Sequence, residues 1–108
     1  MTLTNKIKAE LMRADIDYIY ELDSYKKEYP HGTNFCYETV SSKAATAVMR
    51  LYKAEAAFNA LVMLVKPKYE RSTMEELSRR IIDEYNNAET IEGMEAAETE
   101  YFNLYSIA

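Results

Sequence analysis

A chain of 108 residues with 48% hydrophobic content is the size of one domain and can fill a modest core without disulfide or metal staples. Two glycines and two prolines leave few places to turn, which disfavours a fold of many short strands and predicts a single all-α domain over residues 1–108. The net charge of −5 is unevenly spread: residues 1–38 carry five bases and seven acids, 39–71 six and two, and 72–108 two and nine, so binding nucleic acid through the whole surface is excluded.

The first helix is expected to start at Thr2 or Thr4, either one a suitable N-cap, and to run to about Tyr29, where Pro30 and Gly32 stop it. The opening stretch has no continuous apolar segment or small-residue cleavage site, and this argues against a secretory signal. Ile7, Leu11, Ala14, Tyr18, Leu22, Tyr25 and Tyr29 alternate steps of four and three, a heptad-like seam that should face inward. Beside it lies a row of acids, Glu10, Asp17, Glu21 and Glu28, all pointing the same way. Aligned carboxylates suit metal or acid–base chemistry, but an ion-pair ladder explains them better. If the first helix folds back on the next in a register where paired numbers sum to about 71, Glu28 meets Lys43, Glu21 meets Arg50 and Asp17 meets Lys53.

The connection holds the only His and the only Cys, His31 and Cys36. A lone cysteine forms no internal disulfide, which favours a cytoplasmic setting. A Cys–His nucleophile would also need an orienting group and an oxyanion site that the sequence does not supply, so His31 reads as a solvated turn residue. Phe35, Cys36 and Tyr37 read as a plug at the open end of the hairpin.

Residues 40–66 are expected to form one long central helix, around which an antiparallel hairpin or four-helix bundle is built, with Thr39, Ser41 or Ser42 as its N-cap. Val40, Ala44, Ala47, Leu51, Ala54, Phe58, Leu61 and Val65 form one apolar face. Ala45, Met49, Tyr52, Ala56, Ala60 and Met63 form a second stripe turned about 140° from the first. Two stripes require two sets of neighbours, either other helices of the same chain or a second protein. Small and adaptable side chains suit a self-association seam or partner interface at Ala45, Met49, Tyr52, Ala56 and Met63, and ten tyrosines exceed what a small core can bury with every hydroxyl satisfied. The longest apolar run, residues 60–65, is far short of the roughly 20 residues of a membrane span, so no membrane association is expected.

Pro67 ends the central helix, and the basic cluster over residues 66–71 complements its negative pole. Ser72 and Glu75 match a capping box, predicting a third helix to about Tyr85 with Met74, Leu77, Ile81 and Tyr85 inward. Glu75/Arg79, Glu76/Arg80 and Arg79/Asp83 are its expected surface pairs, and Asn86-Asn87 suits its end through the left-handed conformation. Residues 83–93 lack the order of acids and glycine that an EF-hand requires. Thr90 should cap a fourth helix that buries Ile91, Met94, Ala97, Tyr101, Leu104 and Tyr105. Its outer residues Glu92, Glu95, Glu98 and Glu100 have no base on their own helix, and after Arg80 the chain has none at all.

No cofactor or metal is expected, and the chain does not read as an enzyme. One His in a turn cannot supply the Glu-x-x-His pairs of a di-iron bundle, and Glu75-Glu76 with Asp83-Glu84 gives only half of the paired acidic motifs of a helical pyrophosphatase. The leading expectation is a small cytoplasmic, non-catalytic protein that works through protein–protein contact, self-association included. Glu92, Glu95, Glu98 and Glu100 would form an acidic face for a basic partner surface. Its short, acidic, Tyr-rich helical composition resembles that of virus-encoded (phage) host-takeover factors, which implies an inhibitor or accessory factor. Two alternatives belong to other classes. One is an oligomeric binder of anionic nucleotides using Lys43, Arg50, Lys53 and Lys66; the other is a carboxylate–metal hydrolase.

Overall fold

The computed structural model describes residues 3–31 and 42–107, which form four α-helices and no strand. These are α1 (Leu3–Glu28), α2 (Ser42–Val62), α3 (Arg71–Asn87) and α4 (Ile91–Leu104). Consecutive helices pair as two hairpins, α1 with α2 and α3 with α4. The all-α bundle is therefore the one the composition and periodicity predict. At 26 residues α1 is the longest helix, ahead of α2 at 21.

The two hairpins overlap only at one end. Leu11 and Met12 of α1 meet Met74, Ile81 and Ile82 of α3 and Ala97, Tyr101, Leu104 and Tyr105 of the α4 segment in one buried cluster. Only the last turns of α2 reach that cluster, through Phe58, Leu61 and Val62, followed by Val65. Farther out, the first half of α2 packs on α1, burying Ala44, Val48 and Leu51. The molecule measures 50 × 30 × 26 Å, with a radius of gyration of 15.9 Å against about 13 Å for a compact chain of this length. The core thus lies around α1, α3 and α4, and the outer part of the α1–α2 hairpin projects as an arm.

Helix ends follow local chemistry with some departures from the sequence reading. α2 stops at Val62, and Leu64 and Val65 close tighter turns onto Leu61 and Val62. Pro67 accounts for this early stop, because a proline ring in a continued helix would strike the carbonyl of Met63 four residues back. Lys66 and Lys68 instead donate backbone N–H bonds to Tyr105 and Leu104, and Ser106 Oγ donates to the Lys66 carbonyl. The basic cluster is therefore strapped to the end of α4 instead of capping α2.

The expected capping box does not form. Glu70 is the N-cap of α3, without a side-chain cap bond, and Ser72 Oγ donates to the Glu70 carboxylate at 3.4 Å. Thr90 does cap α4, accepting from the Gly93 N–H at 3.1 Å. α3 ends in extended backbone at Ala88, so Asn86 and Asn87 supply no left-handed residue. That conformation falls at Ser106, φ 57°, where Ile107 N–H bonds the Phe102 carbonyl and Ser106 N–H bonds that of Asn103. Together these bonds make a Schellman end to α4, with Ile107 buried as its hydrophobic contact. Thr4 lies inside α1 instead of capping it. The candidate caps Thr2, Thr39 and Ser41, and the plug Phe35, Cys36 and Tyr37, lie outside the described residues.

Candidate functional site

The most unusual side chain in the molecule is Asp15. It is 3% exposed, and Tyr101, itself fully buried, donates its hydroxyl to Asp15 Oδ2 at 2.7 Å across the two hairpins. Among the described residues no lysine, arginine or histidine pairs with it. Burial pushes the Asp15 carboxyl up to about 6, with Glu75 adding to the rise and the Tyr101 hydroxyl and the Arg79 guanidinium offsetting part of it. The same burial, reinforced by the Asp15 charge, raises Tyr105 to about 12 and drives the Tyr101 phenol well above its ordinary value.

Asp15 forms part of the wall of a cavity of about 230 Å³ between α1, α2, α3 and the 63–70 connection. Ser78 and Tyr105 line it with Asp15; Tyr18 and Phe58, stacked with ring centroids 5.9 Å apart, contribute an aromatic wall; Arg71 and Glu75 bring charge to its lining. Ser78 is 2% exposed, and its Oγ is the buried side-chain polar atom left without a hydrogen-bond partner among the described residues. A serine with no base bonded to its hydroxyl is not activated as a nucleophile.

The sequence reading overlooked Asp15, although a signal was present. Leu11, Asp15 and Ile19 stand four residues apart, with Met12 and Ile16 beside them, which places an acid in the middle of an apolar stripe. Ser78 sits likewise between Met74 and Ile81-Ile82.

The expected interface residues of α2 lie on the face turned away from α1. Met49, Tyr52 and Met63 are 72%, 61% and 85% exposed, Ala56 and Ala60 are exposed, and Ala45 is half-buried. Leu64 extends this surface at 63% exposed. Among the described residues no other helix covers the second stripe.

The expected charged sets divide. Lys43 pairs with Glu28 at 2.8 Å, the outermost rung of the proposed ladder. Asp17, Glu21, Arg50 and Lys53 line one shallow groove between α1 and α2, but no pair among them comes within 4.0 Å. Lys66 lies beyond the opposite end of α2 from Lys43, so the four bases of the anion-binding set do not converge. Of the acidic set, Glu100 accepts from Arg80 at 3.0 Å and Glu98 lines a groove with Lys8 and Arg13, while Glu92 and Glu95 are exposed and form no ion pair among the described residues. Arg79 makes a two-pronged contact with Asp23 of α1 at 3.0 Å, and a longer one with Glu75 at 3.7 Å. That partner replaces Asp83, and Arg80 takes Glu84 and Glu100 instead of Glu76.

Among the described residues no group of three or more His, Cys, Asp or Glu is placed to hold a metal ion, and no helix is long and apolar enough to cross a membrane. His31 is exposed in the turn after α1, and Cys36 lies outside the described residues. Comparison of the chain with protein-family models, curated proteins and solved structures gives no match.

Proposed function

We propose that this protein is a non-catalytic association module that pairs with a second copy of itself through the outer face of α2. The observation that carries the reading is the exposure of Met49, Tyr52 and Met63 on one stripe of a helix whose opposite face already packs on α1. Solvated methionine and tyrosine rows favour burial, and alanines between them let a second helix approach closely. The stripe is also self-complementary. An antiparallel pairing about Ala56 sets Met49 against Met63 and Tyr52 against Ala60, large against small, as a two-fold interface requires. Met49 to Met63, which face each other at the two ends of this pairing, spans fourteen residue steps, about 21 Å of contact.

Such a dimer would carry Glu92 and Glu95 on each copy, twice over, toward any basic protein surface it meets. A role as an inhibitor or accessory factor follows from that chemistry, with the dimer covering a surface that otherwise faces nucleic acid.

Size-exclusion chromatography with light scattering tests the pairing. The expected mass is twice 12.5 kDa, and Ala56→Glu, at the two-fold, should return it to 12.5 kDa with unchanged helical circular dichroism. A wild-type chain that stays at 12.5 kDa up to the highest soluble concentration overturns the proposal.

A further inference from the structure

The cavity beside Asp15 is chemically one-sided. Its polar lining includes the Asp15 carboxyl, the Ser78 Oγ without a hydrogen-bond partner and Tyr105. A buried carboxylate is normally paired with a base, and this one has a phenol instead. Arg79, whose charge acts on Asp15, is committed to Asp23. A group with several hydrogen-bond donors, no acceptor and a positive charge would satisfy the Ser78 oxygen and compensate the Asp15 charge, and a primary ammonium has those properties. The rest of the wall is apolar or aromatic: Tyr18, Ile19, Phe58, Val62 and Met74. A cavity of about 150 Å³ accommodates benzene, so about 230 Å³ has room for roughly nine or ten non-hydrogen atoms.

We propose that this cavity is a binding site for a small arylalkyl primary amine, its ammonium held by Asp15 and Ser78 and its ring against Tyr18 and Phe58. Anions are disfavoured because Asp15 and Glu75 both line the cavity, against the single Arg71. Binding requires the ionised carboxylate, and the groups facing Asp15 are Tyr101 and Tyr105 from α4 and Ser78, Glu75 and Arg79 from α3. Asp15, raised by burial to about 6, must be ionised to hold the ammonium, so affinity should fall as the pH drops below 6. The site is independent of the α2 outer face, since its lining includes none of Met49, Tyr52 or Met63.

The test compares three probes of similar size on the full chain by amide chemical-shift titration: 2-phenylethylamine, 2-phenylethanol and phenylacetate. The amine should saturate, shift the amides of Asp15, Tyr18 and Ser78, and bind about tenfold or more tighter than the alcohol, with phenylacetate weakest. Asp15→Asn keeps the shape and removes the charge; it should weaken the amine about tenfold and leave the alcohol unchanged. Ser78→Ala, which deletes only the unpartnered oxygen, should weaken the amine in the same direction and serves if the Asn variant is unfolded. No saturable shift, equal binding of amine and alcohol, or an amine affinity indifferent to the folded variants overturns the proposal.

Discussion

Asp15 shows how one residue sets a pH dependence. Its carboxyl is raised by burial to about 6, from an ordinary value near 3.8. Between those values the folded chain holds a proton that the unfolded chain has lost, so this group makes stability fall as pH rises from about 4 to 6. A shift of about two units corresponds to roughly 3 kcal/mol at most. Asp15→Asn, still able to accept from Tyr101, should flatten that stretch of the curve of melting temperature against pH and match or exceed the wild-type stability at pH 7. A variant whose melting temperature tracks the wild-type profile between pH 4 and 6 would show that other groups govern it. The acid is retained at a stability cost, as expected of a site that binds a cation.

At the scale of single elements, local sequence chemistry succeeded where the interaction stays inside one turn of chain. Thr90 caps α4 because its acceptor lies three residues from the N–H it binds, in the segment the sequence itself specifies. Ser72 fails as a cap because α3 begins one residue earlier, at Arg71, with the Glu70 carbonyl accepting from Met74 N–H at 2.9 Å. Thr90→Ala should therefore cost about 1 kcal/mol in chemical denaturation, while Ser72→Ala stays within about 0.5 kcal/mol. Equal losses from the two would contradict this assignment of caps. The ladder between α1 and α2 divides in the same way: Lys43 at the start of α2 reaches Glu28 at the end of α1. The inner rungs, Glu21 with Arg50 and Asp17 with Lys53, remain farther than 4.0 Å apart, because helix contacts such as Tyr18 on Phe58 set the spacing there.

For the whole molecule, the two hairpins are joined chiefly by the cluster around Tyr101, with the Asp23–Arg79 contact and the strap from Lys66 and Lys68 to the end of α4 at its edges. Buried area and exposed charge contribute unequally to that joint. Tyr101 is fully buried and bonds Asp15, so Tyr101→Ala should cost about 3 to 5 kcal/mol. Arg79→Ala should cost about 1 kcal/mol or less, since Asp23 is half exposed and solvent screens the pair. Urea titrations of the two variants give the comparison, and a larger loss at Arg79 would mean that charge, not packing, joins the hairpins. The projecting arm has a consequence of its own: because α3 and α4 cover only one end of the α1–α2 hairpin, the outer stripe of α2 stays available for the second copy proposed above.

The sequence by itself determined four helices, most of the inward positions of α1, α3 and α4, the Thr90 cap and the second stripe of α2. Each of these is written in residues three or four apart, where helical geometry alone decides which side chains share a face. Ile91, expected inward at the start of α4, is instead 71% exposed, because the first turn of α4 lies beyond the buried cluster. Only the tertiary structure decided that Asp15 lies buried under Tyr101, 86 positions away, and that Ser78 faces the same cavity without a partner. It likewise decided that Arg79 takes Asp23 and that Glu100 takes Arg80. Those pairings depend on where whole helices cross, and crossing is set by the packing of many side chains at once, so no local spacing could specify them.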